Sequence, residues 1–135
     1  MRKAILLLAF AGVAASAAAQ WSPEAEKRLS STYNQCQASG DAAKGVTSAM
    51  MSCLGEENHR QDGHLNQAYQ AAMNRLSTRR KAKLRQSQGA WIKSRDIAAK
   101  AAGDRAGGGS AAGLEYSSTI LHKTIERIIW LEKYQ

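Results

Sequence analysis

The chain has 135 residues, 44% of them hydrophobic and 22% charged, with one Pro, two Cys and a net charge of +8. That length supports one domain. The mixed charge and substantial apolar fraction exclude a disordered tail, and the sparse, aperiodic Pro and Gly exclude a collagen or a linker protein. Aromatics make up only 6%, and Ala, Gln, Lys, Arg and Glu dominate the middle of the chain, so composition points to helix.

The first residues read as a leader. Met1-Arg2-Lys3 is a positive start, residues 4–15 are an uncharged apolar run, and Ser16-Ala17-Ala18-Ala19 supplies the small residues of an A-x-A cleavage site. The pattern predicts a secretory signal over residues 1–19 and a mature domain over residues 20–135. The apolar run is too short to span a bilayer, which needs about 20 residues. Loss of Arg2 and Lys3 with the leader would leave a mature charge of +6. Export to the periplasm or beyond fixes the redox compartment. Cys36 and Cys53, the only cysteines, are therefore expected to form a disulfide rather than a catalytic thiol. Closing a loop of that size stabilises the fold by about 3 kcal/mol in the chain-entropy picture.

Along the mature chain, Ser22-Pro23-Glu24 starts a helix, with Ser as cap and Pro in the first turn. The spacing of Ala25, Leu29, Tyr33 and Cys36 carries it to Ser39-Gly40. Asp41 is expected to cap a second helix through Val46, Met50 and Cys53 that stops near Leu54-Gly55. The bridge would then join the ends of an antiparallel pair. Leu65, Tyr69, Ala72, Leu76, Leu84, Gln88, Trp91 and Arg95 form one helical stripe. They predict a long central helix, continuous or broken near Ser77 to Arg80. The glycine-rich segment 101–113 reads as a loop. Leu114, Ile125, Ile128 and Leu131 mark an amphipathic final helix ending near Lys133. The fold class is all-α: a small bundle with a disulfide-linked helix pair, a long central helix and a C-terminal helix.

Motifs that carry chemistry are few. Arg79, Arg80, Lys81, Lys83 and Arg85 are the densest charge. They read first as a solvated helix face and alternatively as a site for an anionic polymer of the envelope. Export argues against nucleic acid. His59, His64 and His122 lack metal-ligand spacing and read as surface or capping residues. No nucleophile–base arrangement, phosphate loop, metal site or cofactor motif is recognisable. The expectation is a non-enzyme without metal or cofactor. Polar residues on the central stripe are more informative. Asp62, Asn66, Tyr69, Gln88, Trp91, Arg95 and Asp96 form either a ligand surface or a buried polar network that joins the helices. Trp91 in particular is expected to be mostly buried, with Arg95 along its ring and Asp62 or Asp96 as that arginine's partner.

The same residues carry a resemblance. Cys36, Thr47-Ser48-Ala49-Met50, Cys53-Leu54, Asp62, Leu65-Asn66, Tyr69, Leu84, Ser87-Gln88, Ala90-Trp91, Arg95-Asp96, Gly109-Ser110, Thr124 and Arg127 stand in the order and approximate spacing of the secreted bacterial lysozyme inhibitor LprI-like family. LNQAY at residues 65–69 and SQGAWIKSRD at residues 87–96 are the strongest pieces. The resemblance implies a small helical periplasmic protein, not an integral membrane protein, that binds a protein partner: lysozyme, another cell-wall hydrolase or a toxin. Members usually have a second cysteine pair. Its positions fall here near Ala99 and Ser117 to Thr119, so the segment between them is expected to be looser. A charge of +6 opposes approach to a basic lysozyme. Glu56-Glu57 with Asp62 is the acidic patch expected to offset it.

Overall fold

The computed structural model describes residues 21–135 and contains six helices. They are α1 (Pro23–Glu26), α2 (Ser31–Gln37), α3 (Gly40–Ala43), α4 (Thr47–Arg75), α5 (Thr78–Arg105) and α6 (Gly109–Lys133). No strand occurs among the described residues. The expected all-α bundle is therefore the observed fold. The leader expected over residues 1–19 lies outside the described residues.

Three long helices dominate. At 1.5 Å per residue each is about 37–44 Å long. The helix at the centre is α6, rather than the Leu65-to-Arg95 stretch expected from the sequence. It packs on both α4 and α5, which have no comparable pairing with each other. Asn58 donates to the Ser117 carbonyl at 3.1 Å and Arg75 to the Leu131 carbonyl at 3.1 Å, so α4 and α6 run in the same direction. The tight turn after α5 makes α5 antiparallel to α6. The chemistry of α6 suits its position. Leu121, Ile125, Ile128 and Leu131 are buried. One cluster joins Leu121 and Ile125 to Ala25 and Leu54, and the other joins Ile128 and Leu131 to Leu65, Ala72, Met73, Leu76 and Leu84. Full burial of each aliphatic side chain stabilises by roughly 1.5–3 kcal/mol.

The break in the expected long helix falls at Leu76-Ser77, beside the segment the sequence marked. Leu76 is extended and buried, so it turns the chain while still filling the core. Three other expectations are corrected. The first helix is two helices, because Ser30 restarts the chain: its hydroxyl caps the Tyr33 N–H at 3.0 Å. The expected Asp41–Gly55 helix is a single turn, α3, followed by α4. Ser39, not Asp41, stands at the cap of α3. Helix α4 runs on through Gly55 because Leu54, Glu57, Gln61 and Leu65 continue its buried seam. That packing outweighs the roughly 1 kcal/mol helix penalty of an exposed glycine.

The third correction concerns the segment 101–113. It is helical except for residues 106–108. Ala99, Ala102 and Gly103 are buried against α6, and a Cβ at Gly103 would lie 3.1 Å from the Ala112 carbonyl oxygen. The small residues permit close helix approach, which serves the end of the hairpin where a second bridge was missing. Gly107, Gly108 and Gly109 make the reversal with φ of +80°, +94° and +64°, a region that side chains disfavour.

Cys36 and Cys53 are bonded to each other. The bridge joins the last turn of α2 to the second turn of α4, rather than two helix ends. It thereby fastens the short N-terminal helices to the bundle.

Candidate functional site

Helix α5 offers few apolar side chains to the core; its buried residues are Leu84, Ala99, Ala102 and Gly103. A polar latch supplies the rest of its attachment. Arg127 of α6 donates from Nε to Gln88 Oε1 at 2.9 Å and from Nη2 to Ser87 Oγ at 3.0 Å. Its guanidinium lies 3.8 Å from the Trp130 ring centre and 5.5 Å from that of Trp91. The Arg95 guanidinium lies 5.2 Å from Trp91 and pairs with Asp96 at 3.0 Å. Arg127 is buried, 8% exposed, and makes no carboxylate ion pair among the described residues. Burial pulls its pKa below the ordinary arginine value, but from so high a start that the charge persists. Amide, hydroxyl and aromatic faces solvate that charge.

The structure thus brings together Gln88, Trp91, Arg95 and Asp96 from the predicted set and adds Ser87, Arg127 and Trp130. Trp91 is half-buried and packs against the core cluster with Tyr69. Asp62 and Asn66 do not join the network; both are exposed on α4. Their place on the stripe is corrected by the register of α4, whose seam passes through Gln61 and Leu65 instead. Asp96, not Asp62, is the partner of Arg95.

A second buried network was missed. The Glu57 side chain is fully buried. It accepts hydrogen bonds from the Ser30 N–H at 3.0 Å, the Ser30 hydroxyl at 2.6 Å, Arg60 Nε at 3.0 Å and Gln61 Nε2 at 2.8 Å. Gln61 also donates to the Arg28 carbonyl at 2.8 Å. Burial by itself would raise the Glu57 pKa. The donors of Gln61, Ser30 and Arg60 outweigh it and hold the carboxyl below its ordinary value. The expected Glu56–Glu57–Asp62 acidic surface patch therefore does not exist. Its middle member is a core anchor holding the α1–α2 junction to α4. The signal was present: Leu54, Glu57, Gln61 and Leu65 recur at steps of three, four and four, which places the carboxylate on the buried face.

His59 and His64 are exposed, as expected, but His122 is buried. Its ring stacks on Trp21 with centres 4.7 Å apart, and its Nε2, without a hydrogen-bond partner, lies 3.5 Å from Glu126. Burial lowers its pKa, against the pull of Glu126 and with the push of Lys123. No group of His, Cys, Asp or Glu among the described residues is arranged to hold a metal, and no described helix is long and apolar enough to cross a membrane.

Arg79, Arg80, Lys83 and Arg85 are exposed and Lys81 is half-buried, all in the first turns of α5. At the elbow an open groove of about 710 Å³ is lined by Arg75, Leu76, Ser77, Arg80, Glu132 and Gln135. Arg75 reaches across to the Leu131 and Tyr134 carbonyls and closes the end of α6. At the same end of α6, Trp130 is 39% exposed and packs at a tilt on the Tyr134 ring, centres 4.5 Å apart. This end of the bundle therefore joins an exposed aromatic edge to unpaired cations, with the latch directly beneath.

The family model described as Lysozyme inhibitor LprI matches residues 38–131, most of the chain. No curated protein and no solved structure matches.

Proposed function

Because the chain belongs to the LprI lysozyme inhibitor family, we propose that it is an exported, non-catalytic binding protein that blocks a cell-wall glycan hydrolase. The single observation that carries this reading is the family match over residues 38–131. The leader pattern of residues 1–19 and a disulfide of the kind that persists outside the cytoplasm support a periplasmic or secreted location.

The surface best suited to the task is the elbow end, with Trp130 and Tyr134 as its anchors. Aromatic and arginine side chains dominate the energetics of protein interfaces. Glycan hydrolases generally place two carboxylates in a substrate cleft, so such a cleft is locally acidic even on a basic enzyme. An aromatic edge flanked by Arg75 and Arg80 complements it. That local match is how a chain of mature charge +6 engages a cationic lysozyme, in place of the acidic patch that Glu57 does not provide.

The test is a lysis assay with purified residues 20–135 and a panel of cell-wall hydrolases. At least one enzyme should lose activity in proportion to the protein added. Trp130→Ala should weaken that inhibition by about thirtyfold, the size of a 2 kcal/mol anchor, with circular dichroism showing the variant folded at the assay temperature. Undiminished lysis by every enzyme at large molar excess would overturn the reading.

A further inference from the structure

Charge is distributed very unevenly over this molecule. Helix α5 alone carries nine Lys and Arg against two Asp, a net of +7, and the other residues from 20 onward carry a net of −1. Among the described residues only two of those nine cations, Arg95 and Lys100, are ion-paired. The helix packs chiefly on α6, and helical spacing puts Arg79, Lys93, Ile97 and Lys100 on the face opposite buried Leu84 and Ala102, with Lys83 on its flank. Ile97 is 71% exposed in the midst of those lysines, and Ile92 on the flank is 40% exposed.

We propose that the outer face of α5 docks on an anionic phospholipid surface. Its length of about 42 Å presents a row of cations to a plane of phosphate groups. Of those cations only Lys100 has a carboxylate partner, exposed Asp104 one turn on, so contact replaces at most one surface ion pair. A soluble polyanion would satisfy the lysines and leave Ile97 in water. A bilayer interface takes up both, since an interfacial helix pairs a basic face with apolar side chains at the headgroup boundary. The surface is separate from the Trp130–Tyr134 edge, so this inference stands whether or not a hydrolase is inhibited.

The experiment is co-sedimentation of residues 20–135 with vesicles of phosphatidylcholine containing one-third phosphatidylglycerol, and with vesicles of phosphatidylcholine alone. Binding should require the anionic lipid and weaken steeply as salt rises. Lys83→Glu with Lys93→Glu should reduce it by at least thirtyfold, given the contribution of a single lysine near such a surface. Lys27→Glu with Lys44→Glu changes net charge equally, away from α5, and should retain most of the affinity. Ile97→Ser should weaken binding to vesicles and leave binding to soluble heparin unchanged. All four altered lysines are exposed, and circular dichroism should show each variant folded. Equal losses in the two charge-reversal pairs, binding to neutral vesicles, or an Ile97→Ser variant that binds vesicles like the parent would overturn the proposal.

Discussion

Helices α4 and α5 have nearly the same length, 29 and 28 residues, and lie on the same partner, yet they are held differently. Helix α4 buries Leu54, Leu65, Ala72 and Met73 along its length, together with the Glu57–Gln61 network. Helix α5 buries Leu84 near one end and Ala99, Ala102 and Gly103 near the other. Between those ends, half-buried Trp91 and the Arg127 latch do the holding. One helix belongs to the core, and the other is a cationic rod fastened to it. Contacts of α4 remove apolar area from water, and those of α5 depend on aligned polar groups. The two therefore respond differently to substitution, acid and salt.

The largest expected effect lies on the α4 side. Glu57→Ala strips the partner from Ser30, Arg60 and Gln61 and leaves the buried Gln61 amide and the part-buried Ser30 donors unsatisfied. It should cost about 3–5 kcal/mol, and thermal unfolding should show a fall in Tm of ten degrees or more. Reduction of Cys36–Cys53 should cost about 2–4 kcal/mol, measured by denaturant midpoints with and without reductant. Two free thiols titrating in the native protein would contradict it. On the α5 side, Trp91→Ala should cost about 2 kcal/mol, below the 3–5 kcal/mol range for a fully buried large aromatic, because the ring is only half-buried.

Acid provides a finer probe. His122 titrates lower in the folded chain than its unfolded value near 6.5, chiefly through burial. The unfolded chain therefore binds the proton first. Its contribution to stability is complete above pH 6.5 and is lost as pH falls below it. Glu57, held low by its donors, contributes stability above its unfolded value, near 4.5. That contribution is lost as pH falls through its lower folded value. Tm should decline in two stages on acidification, and His122→Phe, which keeps a ring against Trp21, should remove the first stage alone. The smallest effect expected is that of Lys83→Glu with Lys93→Glu on Tm, within about 0.5 kcal/mol for each exposed site.

The difference between the helices also governs what the sequence revealed. Patterns local to one helix were readable: the apolar stripe of α6 and the meeting of Trp91 with Arg95, whereas the break near Ser77 stood only as one of two alternatives. Features set by distant contacts were not. Ser30 restarts a helix because Glu57, 27 positions away, holds it. Gly103 reads as loop composition until Ala112 is seen against it. Asp62 and Asn66 each follow a seam residue, Gln61 and Leu65, by one position, which is about 100° around the helix and carries them off the buried face. Arg127 was visible as part of a family signature, and its role required knowing that α6 lies between the other two helices.

Native-state hydrogen exchange tests the contrast between a core helix and a fastened rod most directly. Amides of α5 between Gln86 and Ala98 should exchange through partial openings, at a free energy well below that of global unfolding. Amides around Leu65 in α4 and Ile125 in α6 should exchange only through global unfolding. Arg127→Met should widen that gap by loosening α5 further. Equal protection across α4, α5 and α6, unchanged in Arg127→Met, would contradict the account.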